Sequence, residues 1–233
     1  MPGAIRFARR WGVKRAVAAF RRYVGSDNPR VATGNLVAMV LASNTPFYPL
    51  YLRATAGPDI LPGGWLTLCV FPLFLAVPAA TRRWPLGGRV LLAVAAIANT
   101  VFCAWVLGEA SGTALFLIPC IALAALVFRR EEIVPLFALL VLPAVAGAAM
   151  WGRLPASPFA CAGAACASIF WMNAMSVATV QMFLGLLATG LVREPNSART
   201  SGLVRAPGSI GASGLVRAPG AVAPMPPSTP PPR

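Results

Sequence analysis

The sequence has no histidine at all, a single lysine (Lys14), and only six Asp or Glu residues among 233. Without histidine there is no Ser–His or Cys–His nucleophile, no histidine-ligated zinc, no haem with a histidine axial ligand and no phosphorelay through histidine. The scarcity of acids leaves no carboxylate near the middle of any apolar run, where proton-coupled pumps and ion transporters usually carry one. The five cysteines, Cys69, Cys103, Cys120, Cys161 and Cys166, all lie in apolar runs, where cysteine acts as a small polarizable hydrophobe. No CxxC or MxxxM framework joins them to Met172, Met175 or Met182, so no metal site is expected. Cys161 and Cys166 are five apart, which on one helix turns them to divergent directions, so they are not expected to bridge there. No cofactor site and no enzymatic activity follow from this inventory.

What is abundant is apolar: 58% of residues are hydrophobic and 11% charged, with mean hydropathy +0.71. Soluble domains carry about a quarter charged residues, so this composition belongs to membrane proteins. Breaks at charge and Gly/Pro clusters leave six apolar runs, at 33–52, 63–80, 87–107, 111–128, 133–151 and 160–191. Most approach the ~20 residues that cross ~30 Å of hydrocarbon. The expected fold is all-α: a polytopic membrane protein of six transmembrane helices, occupying 31–192. The net charge of +14 sits in short blocks between these runs, which suits membrane orientation better than a nucleic-acid footprint.

Those blocks test the orientation. With both termini inside, the cytoplasmic side receives Arg6, Arg9, Arg10, Lys14, Arg15, Arg21, Arg22 and Arg30, then Arg82, Arg83, Arg89, Arg129 and Arg130, and finally Arg193, Arg199, Arg205, Arg217 and Arg233. Only Arg53 and Arg153 fall outside. This division fits the positive-inside rule and an even number of spans. It implies a multi-pass membrane protein with both ends in the cytoplasm.

The flanks differ from the bundle. Residues 1–30 form a basic cytoplasmic segment without the apolar core of a cleavable signal. In it Val13, Val17, Phe20 and Val24 share a helical stripe flanked by basic residues. One reading is an amphipathic helix on an anionic leaflet, with Arg9, Arg10, Lys14, Arg15, Arg21 and Arg22 at the membrane surface. A simple positive-inside anchor and a mitochondrial transit peptide are the alternatives. Residues 193–233 are rich in Pro, Ala, Gly, Ser and Arg and are expected to be a disordered tail. The tail repeats SGLVRAPG at a spacing of twelve, and GLVR already occurs at Gly190–Arg193. Tandem duplication of the helix end into the tail accounts for this pattern most simply.

Inside the apolar runs, polar side chains are costly and worth locating. Asn44 and Thr45 lie in the first, Asn99 in the third, and Asn173, Ser176, Thr179 and Gln181 in the sixth. Glu109 sits at the outer end of the third. They can serve as interhelical hydrogen bonds or line a shared cavity in the outer half. The candidate ligand-binding set is Asn44, Asn99, Glu109, Asn173 and Gln181. Prolines at 46, 49, 72, 78, 119 and 143 interrupt four runs, and their kinks either make room for a ligand or only serve packing. Gly163 and Ala167, four apart, offer a small-residue surface to another helix or to a homodimer.

The segment GTALFLIPCIALAALVFRREE, residues 112–132, resembles the central part of six-helix membrane input domains of bacterial signalling proteins. Those domains precede nucleotide cyclases, diguanylate cyclases and histidine kinases. The match rests on Asn28–Pro29–Arg30 before the first span, on Gly112, Phe116 and Pro119 entering the fourth, and on Arg129, Arg130, Glu131 and Glu132 after it. It extends over about residues 28–194. The resemblance implies a sensory bundle, dimeric or paired with a membrane-embedded signalling partner, whose last helix drives an effector. No effector is expected within 193–233, where the carboxylates and Gly-rich loops of cyclases and kinases are absent. The expected function is a non-enzymatic, detached signal-input module. The alternative is a small permease or channel-like transporter using polar residues of spans one, three and six.

Overall fold

The computed structural model describes residues 14–154, 157 and 159–190. Arg9, Arg10, the proline-rich tail and the second and third GLVR copies lie outside the described residues. Every regular element among the described residues is helical. Residues 14–24 are helical (α1) and are followed by α2 (Pro29–Asn44), α3 (Tyr48–Ala56), α4 (Leu61–Leu66) and α5 (Phe71–Arg83). Then come α6 (Pro85–Leu107), α7 (Leu117–Val127), α8 (Ile133–Met150) and α9 (Gly163–Ala188).

Contacts between loops sort the helix ends into two groups. At one end Arg30 Nη1 donates to Phe128 O, Arg89 reaches Glu132 and Arg82 Nη2 donates to Arg22 O at 2.9 Å. At the other, Cys161 N donates to Leu107 O at 3.1 Å and Gly152 N to the Glu109 carboxylate. The first end gathers the arginines and is called the basic end below. The segments 29–56, 58–83, 85–107, 113–127, 133–150 and 163–188 each run from one end to the other.

Four segments are long and apolar enough to cross a membrane: Pro58–Arg83, Pro85–Leu107, Ile133–Met150 and Gly163–Ala188. Thr113–Val127 is apolar but shorter. The first segment is the most polar, carrying Asn35, Asn44 and Arg53. In α6, 56% of the most apolar window is buried, against 17% in α8 and 22% in α9. The third segment is therefore central and the last two peripheral. Their outward faces carry Ile133, Val134, Phe137, Trp171, Met175 and Met182, all exposed. Apolar exposure on this scale fits a lipid solvent rather than water.

Close approach of helices depends on small residues, as in membrane bundles generally. A Cβ on Gly88 would come within 2.6 Å of the Thr81 backbone nitrogen, so glycine there lets α5 and α6 pack as a tight hairpin. Gly112 adopts φ +70°, and a Cβ on it would sit 2.5 Å from Phe170 Cδ2. Only glycine satisfies both demands.

Two expectations need correction. Cys161 and Cys166 do form a disulfide, with Cα atoms 5.1 Å apart. The sixth run is not helical from residue 160. Helix α9 starts at Gly163 with Ala162 extended, so Cys161 lies on the preceding strand of loop and folds back onto the first turn. Arg89, expected between the second and third spans, is not a loop residue. It lies on α6, buried to 3% exposure.

Candidate functional site: an interhelical cavity

Three of the interrupted segments meet at one place. In an α-helix each N–H donates four residues back, and proline has none to give. Pro49 therefore cannot donate to Thr45 O, and Tyr48 N donates there instead, closing a 3₁₀ turn at Thr45–Phe47. Pro72 cannot donate to Leu68 O, which accepts from Phe71 N, ending the 3₁₀ turn Thr67–Val70. Pro119 leaves Leu115 O to Leu117 N, ending the turn Thr113–Phe116. Thr45, Thr67, Thr113 and Phe116, one or two from each turn, all line a single cavity of about 120 Å³. The prolines thus make room as well as bend.

The cavity is walled by Val37, Leu41, Phe74, Leu123, Val180 and Leu184, with Asn44, Tyr48, Asn99, Thr100, Cys103 and Cys120 among its polar and sulfur-bearing members. No charged side chain lines it. Most of its polar hydrogens are already committed. Thr45 Oγ1 donates to Leu41 O at 2.8 Å, Thr67 Oγ1 to Gly64 O at 2.6 Å and Thr100 Oγ1 to Ala96 O at 2.9 Å. Cys103 Sγ donates to Asn99 Oδ1 at 3.6 Å and Cys120 Sγ to Phe116 O at 3.2 Å. Asn44 makes no capping bond with its side chain. Among the described residues no hydrogen bond engages the Asn44 carboxamide or Asn99 Nδ2. Asn44 is exposed and marks the mouth, whereas Asn99 is half-buried.

The five sequence-predicted residues therefore separate. Asn44 and Asn99 meet at the cavity. Asn173 does not line it but stands directly behind, fully buried. Its Nδ2 donates to Ser111 O (2.9 Å) and to Thr113 Oγ1 (3.2 Å), and its Oδ1 accepts from Tyr48 OH (3.1 Å). It holds two lining residues, Tyr48 and Thr113, in place. Glu109 lies at the loop end, where it accepts from Gly152 N. Gln181 lies on α9 away from the cavity lining, with Oε1 buried and without a partner among the described residues. Of the proposed membrane-surface set, Lys14, Arg15, Arg21 and Arg22 lie on exposed α1.

Sequence reasoning located Thr45 but missed Tyr48, Thr100 and Thr113 at the cavity, because tertiary packing decides which hydroxyls of the apolar runs meet there. It also missed the polar lattice at the basic end. Arg89 there donates to Pro85 O and Val127 O and forms a bidentate pair with Glu132, at 2.7 and 2.5 Å. Asn28 caps α2 by accepting from Arg30 N at 3.1 Å. Asn35 Nδ2 donates to Val24 O and its Oδ1 accepts from Thr81 Oγ1, both at 2.9 Å. The Arg89 hydrogen bond holds the Glu132 carboxyl below its ordinary value of 4.5, with the Arg129 backbone N–H adding to the effect. The Asn-Pro-Arg and Arg-Arg-Glu-Glu segments, remote in sequence, are thus joined through Arg30 and Phe128.

The sequence profile of the MASE7 family matches residues 21–193. The chain belongs to the MASE7 family, a membrane-associated sensor domain family. No curated protein and no solved structure matches the chain. The matched range begins within α1 and ends just past α9, so it contains both the cavity and the lattice at the basic end.

Proposed function

We propose that this MASE7 chain is a six-span, non-enzymatic signal-input module of the bacterial cytoplasmic membrane, with both termini cytoplasmic. It reports occupancy of its cavity through contacts of its helices with a second copy or with a membrane-embedded signalling partner. The family match carries this reading. Two independent features support the orientation. The arginine-rich loops gather at one end, as the positive-inside rule requires of a cytoplasmic face. The Cys161–Cys166 disulfide lies at the opposite end, and disulfides persist in oxidising compartments such as the periplasm.

A sensor fits better than a permease. Between the cavity and the basic end the bundle is filled by buried apolar side chains, among them Leu92, Val127 and Phe128. Asn173 is bonded in place behind the cavity wall, so the polar groups of spans one, three and six do not line one continuous path. Crosslinking and affinity capture of the full chain from native membranes tests the reading. A second copy or a membrane signalling protein should be recovered at the α8 or α9 face. Recovery of the uncrosslinked monomer alone, at every crosslinker length, would count against it.

A further inference from the structure

We infer that the cavity is a binding site for a small, uncharged molecule bearing one hydroxyl-type polar group, taken up from the lipid phase. This rests on the sensor reading for its purpose but on the cavity itself for its chemistry. The wall carries no Asp, Glu, Lys or Arg side chain, and an unpaired ion in such a site would be prohibitively desolvated. The hydrogen-bonding capacity left unused is specific. Asn99 Nδ2 and the Asn44 carboxamide are donors without partners among the described residues. The threonine hydroxyls have given their protons to backbone carbonyls and keep lone pairs that can accept. A hydroxyl, which both accepts and donates, satisfies the two sets at once. A carboxylate or an ammonium satisfies only one and brings a charge as well.

Size sets the rest. An engineered apolar cavity of roughly 150 Å³ takes up benzene, so 120 Å³ suits a group of similar bulk, one small ring or a short branched chain. The mouth lies at exposed Asn44, beside the 3₁₀ turn Thr45–Phe47 where Pro46 and Phe47 are also exposed. Span one is thus open sideways at the position where proline breaks it. Entry from the bilayer needs no passage through either loop end.

The test uses the full chain in phosphatidylcholine nanodiscs and ¹⁹F NMR with three probes of one shape: 4-fluorobenzyl alcohol, 4-fluorotoluene and 4-fluorobenzoate. The alcohol should bind saturably, beyond its partition into empty nanodiscs. The toluene should bind about tenfold more weakly, the size of one hydrogen bond, and the benzoate should not saturate. In Asn99→Leu the alcohol should lose its advantage over the toluene while the toluene still binds, a result that a misfolded chain cannot give. Ala96→Phe, which fills the cavity from its wall, should abolish saturable binding of both. Equal, non-saturating signals from wild type and Ala96→Phe would overturn the assignment, as would an undiminished alcohol preference in Asn99→Leu. Since no partner is needed here, failure of this experiment leaves the partner-capture test of the sensor reading standing, and the reverse also holds.

Discussion

The two ends of the bundle solve the same problem, polar groups at a membrane boundary, in opposite ways. At the basic end the groups are ionic and multiply bonded. Arg89, on the central helix, joins Pro85, Val127 and Glu132, while Arg30 and Asn35 tie in Phe128 and Val24. The main apolar core, with Phe74, Leu92, Leu123 and Val127, packs behind this lattice. At the opposite end the apolar cluster is small, built on Leu52, Ile60, Val106, Leu107 and Ile169. It is closed by a disulfide and by neutral hydrogen bonds around Asn173. Just inside it the helices are broken by proline and a cavity remains. The difference teaches a division between the ends: one is tied by ionic and backbone hydrogen bonds, and the other keeps a cavity between its helices.

That contrast can be broken by substitution, and the largest effect belongs to the basic end. Arg89→Met should destabilise the detergent-solubilised protein by about 3–5 kcal/mol, because it strands Glu132 and two carbonyls. Chemical unfolding followed by tryptophan fluorescence measures this. Pairing it with Glu132→Leu should recover much of the loss. Asn173→Leu comes next, at about 1–3 kcal/mol, since Ser111 O and Tyr48 OH lose their buried partner.

Reduction of the Cys161–Cys166 disulfide should cost about 2 kcal/mol or less, the expectation for so short a loop. A shift of the unfolding midpoint with reductant reads it out. Acidification should act at the basic end through Glu132. The folded state holds Glu132 below its ordinary carboxyl value. Its contribution is therefore complete at neutral pH and fades as pH falls through the folded-state value. A melting series from about pH 7 to 3 should fall less steeply in Glu132→Gln than in wild type. Smallest of all should be Ala96→Met at the cavity wall, within about 1 kcal/mol, against about 1–3 kcal/mol for Ala124→Met in the fully packed core.

How much of this was legible in the sequence depends on the range of the cause. Helix and membrane character follow from composition and run length, so the all-helical fold and the apolar helices could be read directly. Pro49, Pro72 and Pro119 announced their breaks, because a missing N–H acts within four residues. That the three breaks share one cavity is a tertiary fact, and no local pattern carries it. Asn44 and Asn99 were visible as polar residues in apolar runs. Asn173 looked the same and plays a different part, since only packing decides whether an amide faces a void or another side chain. Arg89 was hidden by its own class, one arginine among many at a span end. Its pairing with Glu132 spans 43 residues and depends on how α6 meets the start of α8. The disulfide was missed because the helix start, Gly163 rather than 160, decides whether Cys161 is free to turn back.

In the proposed orientation the basic end faces the cytoplasm and the cavity end faces outward. Labelling of intact cells with a membrane-impermeant maleimide tests it most directly, using Arg153→Cys and Arg130→Cys in a Cys69→Ser background. Labelling of Arg153→Cys in intact cells, with Arg130→Cys reacting only after permeabilisation, is the predicted result. The reverse pattern, or equal labelling of both before permeabilisation, would contradict it.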